Sequence, residues 1–187
     1  MNELLADFSV ATKFLAFLSL FFFALRMALE PKVNRFVSFP NDDRRSEYRK
    51  YINIYIVFSL VLLGIFILVV PLVQQYFFPK FTNAYKWSVV LVISLILLYM
   101  GAYMTPGFSI RKRMDLKLLI VLNQVAFNFG GFYFLLKNGY DVVFALKYLV
   151  LVNYIFLLVQ HYCSNRLYKV SSEYLKATAL FSIVFVV

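Results

Sequence analysis

The chain has 187 residues with a formal charge of +10, and 63% of them are hydrophobic. With a mean hydropathy of +0.77, it is too apolar for a soluble domain of this size, which excludes the soluble enzyme classes. Its basic residues fall in short gaps between apolar runs. There they act as topology signals and contacts for anionic membrane lipids, and no nucleic-acid partner is expected.

Apolar runs of membrane-spanning length follow one another along the chain. Each is about long enough to cross a hydrocarbon core of ~30 Å as a helix. Lipid offers no partner for backbone groups, and the runs lack the alternation of barrel strands, so helix is predicted. The predicted fold is all-α, a polytopic membrane helix bundle in a single membrane domain (1–187), with helices near Phe8–Leu29, Tyr51–Gln75, Trp87–Met104, Leu116–Leu136 and Val142–Tyr162 and a partial one at 177–187.

The distribution of Lys and Arg predicts how the runs are oriented. Successive gaps hold six, two, four, one and three basic residues. By the positive-inside rule this alternation places loops 30–50, 105–115 and 163–176 in the cytoplasm. The N-terminus then lies outside although no signal peptide is evident, and the sixth run is too short to span. We therefore expect a chain truncated at both ends.

Turn signals separate the runs. The stretch 39–43 (FPNDD) predicts a turn and a helix start. The stretch 137–140 (KNGY) predicts a tight turn in which Gly139 can take a positive φ. Thr105-Pro106-Gly107 is expected to end the third helix, and Pro71 to kink the second helix or end it early.

The first run carries polar residues that fall within a helical sector of about 140°. A polar stripe on a membrane helix faces protein or water, so it predicts a cavity-lining face for an anionic substrate. The alternative is that Lys13 and Arg26 snorkel to opposite interfaces, while Glu30 neutralises Arg26 one turn away. Both readings stay open for the members of this stripe, Ser9, Thr12, Lys13, Ser19, Arg26 and Glu30.

Two later runs repeat this pattern. On the fourth, amides share a face with a lysine, and such amides either hold helices together or bind ligand. On the fifth, a lysine near the predicted outer interface could snorkel there, and the chain's one histidine could be an interfacial polar group or a proton relay. These faces are Lys117, Gln124, Asn128 and Gly131 on the fourth run, and Lys147, Tyr154 and His161 on the fifth.

Enzyme signatures are missing from the sequence. No Ser/His/Asp set and no metal-ligand spacing within one helix is present, and one His with one Cys nearly excludes an intramembrane metalloprotease. The acidic cluster Asp42, Asp43 and Glu47 is flanked by basic residues and looks like a helix start. We therefore predict a non-enzyme without cofactor or metal.

The stretch SVATKFLAFLSLFFFALRMALEPKVNR (9–35) resembles the segment that opens the C-terminal half of oligosaccharide flippases. These form the polysaccharide-biosynthesis branch of the multidrug/oligosaccharidyl-lipid/polysaccharide exporter superfamily. The positions of Lys13, Arg26-Met27 and Glu30-Pro31 match, and so do Asn128 and the KNGY turn. The chain departs from the family at residues with packing roles, namely Leu136, Phe132, Val142, Val143 and Phe144.

The resemblance implies a fold of two six-helix bundles around a cavity, of which this chain would form most of the C-terminal one. It implies a fragment of a transporter that flips undecaprenyl-pyrophosphate-linked oligosaccharides, precursors of lipopolysaccharide, O-antigen or capsule, across the bacterial inner membrane. The missing N-terminal bundle would be its partner. The candidate cavity residues are Lys13, Arg26, Glu30, Gln124, Asn128 and Lys147, with Glu30 or His161 as proton-coupling groups.

Other readings stay open. A cation-coupled multidrug exporter half should carry an acidic residue inside a helix, and none of the five predicted runs has one between its ends. A non-transporting membrane scaffold subunit would lack a shared polar cavity. A membrane glycosyltransferase would act on a lipid-linked sugar donor with added metal.

Overall fold

The structure, a computed structural model, describes residues 2–81, 83–103 and 105–169, and the side chains of all of these except 2–5, 42–44 and 102–103. The predicted partial helix 177–187 lies outside this range. The described residues form helices and connections without a β-strand. The helices are α1 (Asn2–Ser38), α2 (Asp42–Phe77), α3 (Ala84–Tyr103), α4 (Pro106–Ile110), α5 (Met114–Lys137) and α6 (Val142–Leu167).

The all-α prediction is confirmed. Within the described residues, five segments are long and apolar enough to cross a membrane: α1, α2, α3 together with α4, α5 and α6. Membrane-spanning helix bundles satisfy their backbone polar groups internally, which is the condition that lipid imposes. The chain is therefore a multi-pass helical membrane protein.

Helix ends differ from the predicted ones, mainly on α1 and α2. Most of the predicted connection 30–50 is helical, because α1 continues to Ser38 and α2 begins at Asp42. Its cytoplasmic location stays a prediction. Hydropathy marks only the part of a helix inside the hydrocarbon, whereas backbone hydrogen bonding continues into the polar interface. Pro71 does not end α2 early, since the helix runs on to Phe77.

The connections after α3 and α5 follow the turn signals. Gly139 has a φ of 78°, the left-handed conformation that the KNGY turn requires. Asp141 then caps α6, its carboxylate accepting a hydrogen bond from the Val143 backbone N–H at 3.3 Å. Thr105-Pro106 separates α3 from the short helix α4, with Pro106 at the first helical position.

Helix packing places α3 at the centre of the bundle. It contacts α1, α2 and α6, while α5 packs against α6. Aromatic rings fill the α1–α2–α3 interface, where Phe22 stacks on Tyr99 at 5.5 Å between ring centroids and meets Tyr55 at 6.1 Å. Farther along α1, Phe36 stacks on Tyr48 at 4.6 Å. These rings fix α1 against α2 and α3.

Close approach of α5 to α6 depends on Gly131. A Cβ atom there would lie 2.1 Å from the Tyr148 hydroxyl oxygen, which itself donates to the Phe127 carbonyl at 3.1 Å. We expect Gly131→Ala to lower the free energy of unfolding by about 1–2 kcal/mol, the usual cost of overpacking. Titration with SDS in mixed micelles, followed by the fluorescence of Trp87, measures this loss.

The neighbouring glycine supplies the matched control. Nothing lies within 4 Å of a Cβ atom built on Gly130, so Gly130→Ala adds no contact. Alanine also favours helix over glycine by ~1 kcal/mol, so this variant should be at least as stable as the parent. Equal destabilisation by both substitutions would contradict the role of Gly131 in helix packing.

Candidate functional site

Polar side chains from α3, α5 and α6 meet around Asn153. Its Oδ1 atom accepts hydrogen bonds from Gln124 Nε2 and Asn128 Nδ2, each at 2.8 Å. Its Nδ2 atom donates to the Ser94 hydroxyl. Gln160 Nε2 donates to Gln124 Oε1 at 3.0 Å. The amide cluster is defined as Ser94, Gln124, Asn128, Asn153 and Gln160.

The cluster is enclosed by its own helices. Gln124, Asn153 and Gln160 expose only 5%, 4% and 5% of their surfaces. A Cβ atom on Gly101 would lie 3.0 Å from Gln160 Oε1, so α3 approaches α6 closely at this point. Buried amides in a membrane bundle must find partners among themselves, and here they join α5 to α6.

The cluster lies near the middle of its helices. Ser94, Asn128 and Asn153 are each about midway along α3, α5 and α6. Because these helices are of membrane-spanning length, their middles lie near the centre of the bilayer. Transporters commonly place their substrate sites at this depth.

A cavity of about 300 Å³ opens beside the cluster. Helices α1, α3, α5 and α6 each contribute to its wall. Two polar groups at this wall have unused hydrogen-bonding capacity within the described structure: Asn128 Oδ1 is buried without a partner, and the Ser94 hydroxyl donates to no described atom. The lining residues are Phe8, Leu91, Ser94, Asn128, Phe129, Phe132, Leu146, Leu149 and Asn153.

The predicted α1 residues lie outside this cavity. Lys13 and Arg26 are exposed, and Arg26 Nε lies 3.7 Å from Glu30 Oε2 in the expected one-turn pair. Thr12 and Ser19 donate to carbonyl groups of their own helix at 2.9 and 2.7 Å. Thr12, Ser19, Arg26 and Glu30 therefore find partners within α1. The α1 residue at the cavity wall is Phe8.

Arg26 on α1 and Lys117 on α5 are basic residues toward the ends of their apolar runs that the charge pattern predicts to be cytoplasmic. Lys117 lies two helical turns from Gln124 on the same face of α5, about 10 Å along the axis. Two positive charges therefore lie beyond one end of the amide cluster, toward the end that the charge pattern predicts to be cytoplasmic.

On α6 the buried face is displaced by one residue from the predicted one. Lys147 is exposed, and Tyr154 packs against the buried apolar residues that α1, α2, α3 and α6 contribute to the core. His161 is buried, with its Nε2 atom 2.8 Å from Asn165 Nδ2. The face that carries the amides of the cluster holds Asn153 and Gln160. The seven-residue spacing of these two amides could have revealed this face from the sequence, but the charged residue Lys147 was selected instead.

A buried carboxylate was also missed. Because α1 begins at Asn2, Asp7 lies inside this helix, although it precedes the predicted run Phe8–Leu29. Asp7 is 6% exposed, and its Oδ2 atom accepts from Asn83 Nδ2 at 3.2 Å. Its Oδ1 atom has no hydrogen-bond partner in the described part of the chain.

Metal ligands do not gather in the ranges that the structure describes, where no group of three His, Cys, Asp or Glu side chains could hold an ion. The absence of a cofactor remains a prediction from the sequence. Comparisons with protein families, with curated proteins and with solved structures found no match for this chain. The resemblance to oligosaccharide flippases therefore also remains a prediction.

Proposed function

We propose that this chain forms part of a flippase for undecaprenyl-pyrophosphate-linked oligosaccharides in the bacterial inner membrane. The amide cluster at mid-membrane depth carries the proposal. A sugar headgroup that crosses a bilayer needs uncharged donors and acceptors in place of water, since each unpaired polar group costs several kcal/mol in hydrocarbon. Side-chain amides supply both donors and acceptors without adding charge.

The basic residues fit the other part of the substrate. A pyrophosphate group needs positive charge when it leaves water, and Arg26 and Lys117 are basic residues near the predicted cytoplasmic ends of their apolar runs. The polyprenyl tail stays among lipid tails, where the exposed apolar surface of α5 offers no barrier. In the proposed protein a second helix bundle faces this one, and alternating access arises from rocking of the two.

A binding measurement on this chain tests the proposal. In lipid nanodiscs, the chain should bind an undecaprenyl-pyrophosphate-linked oligosaccharide about tenfold more tightly than undecaprenyl phosphate, a gain of ~1.4 kcal/mol for the headgroup contacts. Native mass spectrometry resolves the two complexes. A scaffold subunit, whose amides serve only to hold helices together, would bind the two lipids equally, and that result would refute the proposal.

A cation-coupled multidrug exporter half is a second candidate, favoured by Asp7. A buried carboxylate with one unpaired oxygen is the kind of group that takes up a proton or cation in such a transporter. Under that reading, Asp7→Asn abolishes sodium- or pH-dependent binding of lipophilic cations. Under the flippase proposal the same variant leaves binding of the lipid-linked oligosaccharide unchanged, so the two readings separate.

A further inference from the structure

An apolar groove runs along the outside of the bundle between α1 and α2. Its volume is about 390 Å³, and its described lining residues carry only hydrocarbon and phenyl side chains. The lining extends from Phe14 to Phe21 on α1 and from Leu62 to Val73 on α2. Phe17 is 64% exposed at the rim, so the groove opens toward lipid.

The dimensions of the groove fit one hydrocarbon chain. At 1.5 Å per residue the stretch 62–73 has a length of about 16 Å, close to half of a hydrocarbon core of ~30 Å. Over this length the volume corresponds to a cross-section of about 24 Å² and a width of ~5 Å. Neighbouring hydrocarbon chains approach to ~4 Å between carbon atoms, whereas a helix is at least ~10 Å across. The groove therefore takes the acyl chain of one leaflet and is too narrow for a helix of a second copy.

Two lysines lie at the end of the groove nearer the membrane surface. Lys13 precedes Phe17 by about one helical turn on the same side of α1. Lys80 belongs to the connection after α2, which reaches this end because Phe78 packs edge-on against Phe14 at 6.0 Å between ring centroids. Both lysines are exposed, and neither has an ion-pair partner in the described part of the chain.

An empty groove would forfeit dispersion contacts along both of its walls, so in a bilayer a lipid chain fills it. The headgroup then decides which lipid is preferred. We propose that the groove binds a phospholipid with a negatively charged headgroup, with one acyl chain against α1 and α2 and the phosphate at Lys13 and Lys80. The site shares no lining residue with the cavity beside the amide cluster and is independent of the proposed function.

The charges around the two lysines favour an anionic lipid over a zwitterionic one. Asp7 is buried near this end of α1 and accepts a hydrogen bond from Asn83, so it forms no ion pair with either lysine. Lys86 is exposed in the first turn of α3 and adds a further positive charge at the same end of the bundle. A headgroup with a net negative charge is attracted by these groups, whereas the ammonium group of a zwitterionic lipid is repelled.

Quenching by brominated acyl chains tests which lipid occupies the groove. Phe17→Trp places a reporter at the rim, and Leu68→Trp places one at an exposed position of α2 that does not line the groove. Trp87 is buried and contributes equally to both variants. Each variant is reconstituted in phosphatidylcholine vesicles that contain either brominated phosphatidylglycerol or brominated phosphatidylcholine. The degree of quenching gives the relative affinity of the two lipids at each reporter.

We expect a preference for phosphatidylglycerol of about 25-fold at Phe17→Trp, because each lysine near a membrane surface strengthens the binding of an anionic lipid about fivefold. At Leu68→Trp the two lipids should quench nearly equally. In the Phe17→Trp background, Lys13→Gln and Lys80→Gln should each reduce the preference to about fivefold, and the double variant should abolish it. Lys137→Gln is the matched control and should keep the full preference, because Lys137 is exposed at the end of α5 and does not line the groove.

Three results would overturn the inference. Equal quenching by the two lipids at Phe17→Trp, with both lysines in place, would show that the groove does not select a negative headgroup. A preference that survives in the double lysine variant would place the recognition elsewhere. A Phe17→Trp variant that neither lipid quenches would show that protein, such as a second copy of the chain, covers the groove. None of these results bears on the binding of the lipid-linked oligosaccharide, so the flippase proposal is tested separately.

Discussion

Replacing Gly107 by alanine is expected to cost about 3 kcal/mol of unfolding free energy, the upper part of the range for overpacking. A Cβ atom on Gly107 would lie 2.1 Å from the Ser164 carbonyl oxygen and 2.9 Å from its carbonyl carbon. The obstacle is backbone, which cannot rotate away as a side chain can. The Gly107 backbone N–H also donates to Ser164 Oγ at 2.9 Å, and the substitution would break this bond.

The consequence should be local undocking of α4 from α6, because Gly107 lies against the Ser164 backbone. SDS titration followed by Trp87 fluorescence measures the loss of stability. Gly64→Ala is the control, since nothing lies within 4 Å of a Cβ atom at that position of α2. A Gly107→Ala variant as stable as the Gly64→Ala variant would show that α4 is not held against α6 in this way.

The second large effect is expected for Asn153→Leu. Leucine has a similar size but removes the three hydrogen bonds through which Asn153 joins α3, α5 and α6. Side-chain hydrogen bonds inside membrane bundles contribute ~0.6 kcal/mol each on average, so the loss should be about 2 kcal/mol. The same substitution should also abolish binding of the lipid-linked oligosaccharide, because Asn153 lies at the cavity wall.

Asn123→Leu is the matched control for this substitution, since it removes an exposed amide from α5 without changing the amide cluster. Stability comes from the SDS titration and binding from native mass spectrometry in nanodiscs. If Asn153→Leu were neutral for stability, the amides would not hold the helices together. If it were destabilising yet bound ligand normally, the cluster would be purely a packing device.

Much of the fold could be predicted from the amino-acid sequence, because hydrophobicity and helix length are properties of local segments. The apolar runs, the turn at Gly139 and the start of α2 at Asp42 all follow from residues within a few positions of one another. The helix ends were less accurate, since α1 continues past the apolar run to Ser38. No local hydropathy signal marks where a helix leaves the lipid but keeps its backbone hydrogen bonds.

The candidate site was only half predicted. Gln124 and Asn128 share a face of one helix, and this periodicity was visible in the sequence. Their partners Ser94, Asn153 and Gln160 come from two other helices, and their meeting depends on the rotation of each helix about its axis. Charge drew attention to Lys147, although the amide of Asn153 on the neighbouring face of α6 is the group that is buried.

The sequence by itself determined that this protein is a bundle of membrane-length helices, because the transfer of apolar segments from water to lipid is decided segment by segment. It also determined which residues carry polar groups into the bilayer. Only the tertiary structure decided which of these groups meet, since that depends on the close packing of α3, α5 and α6. This packing buried the amides around Asn153 and left Lys13, Arg26 and Lys147 at the surface.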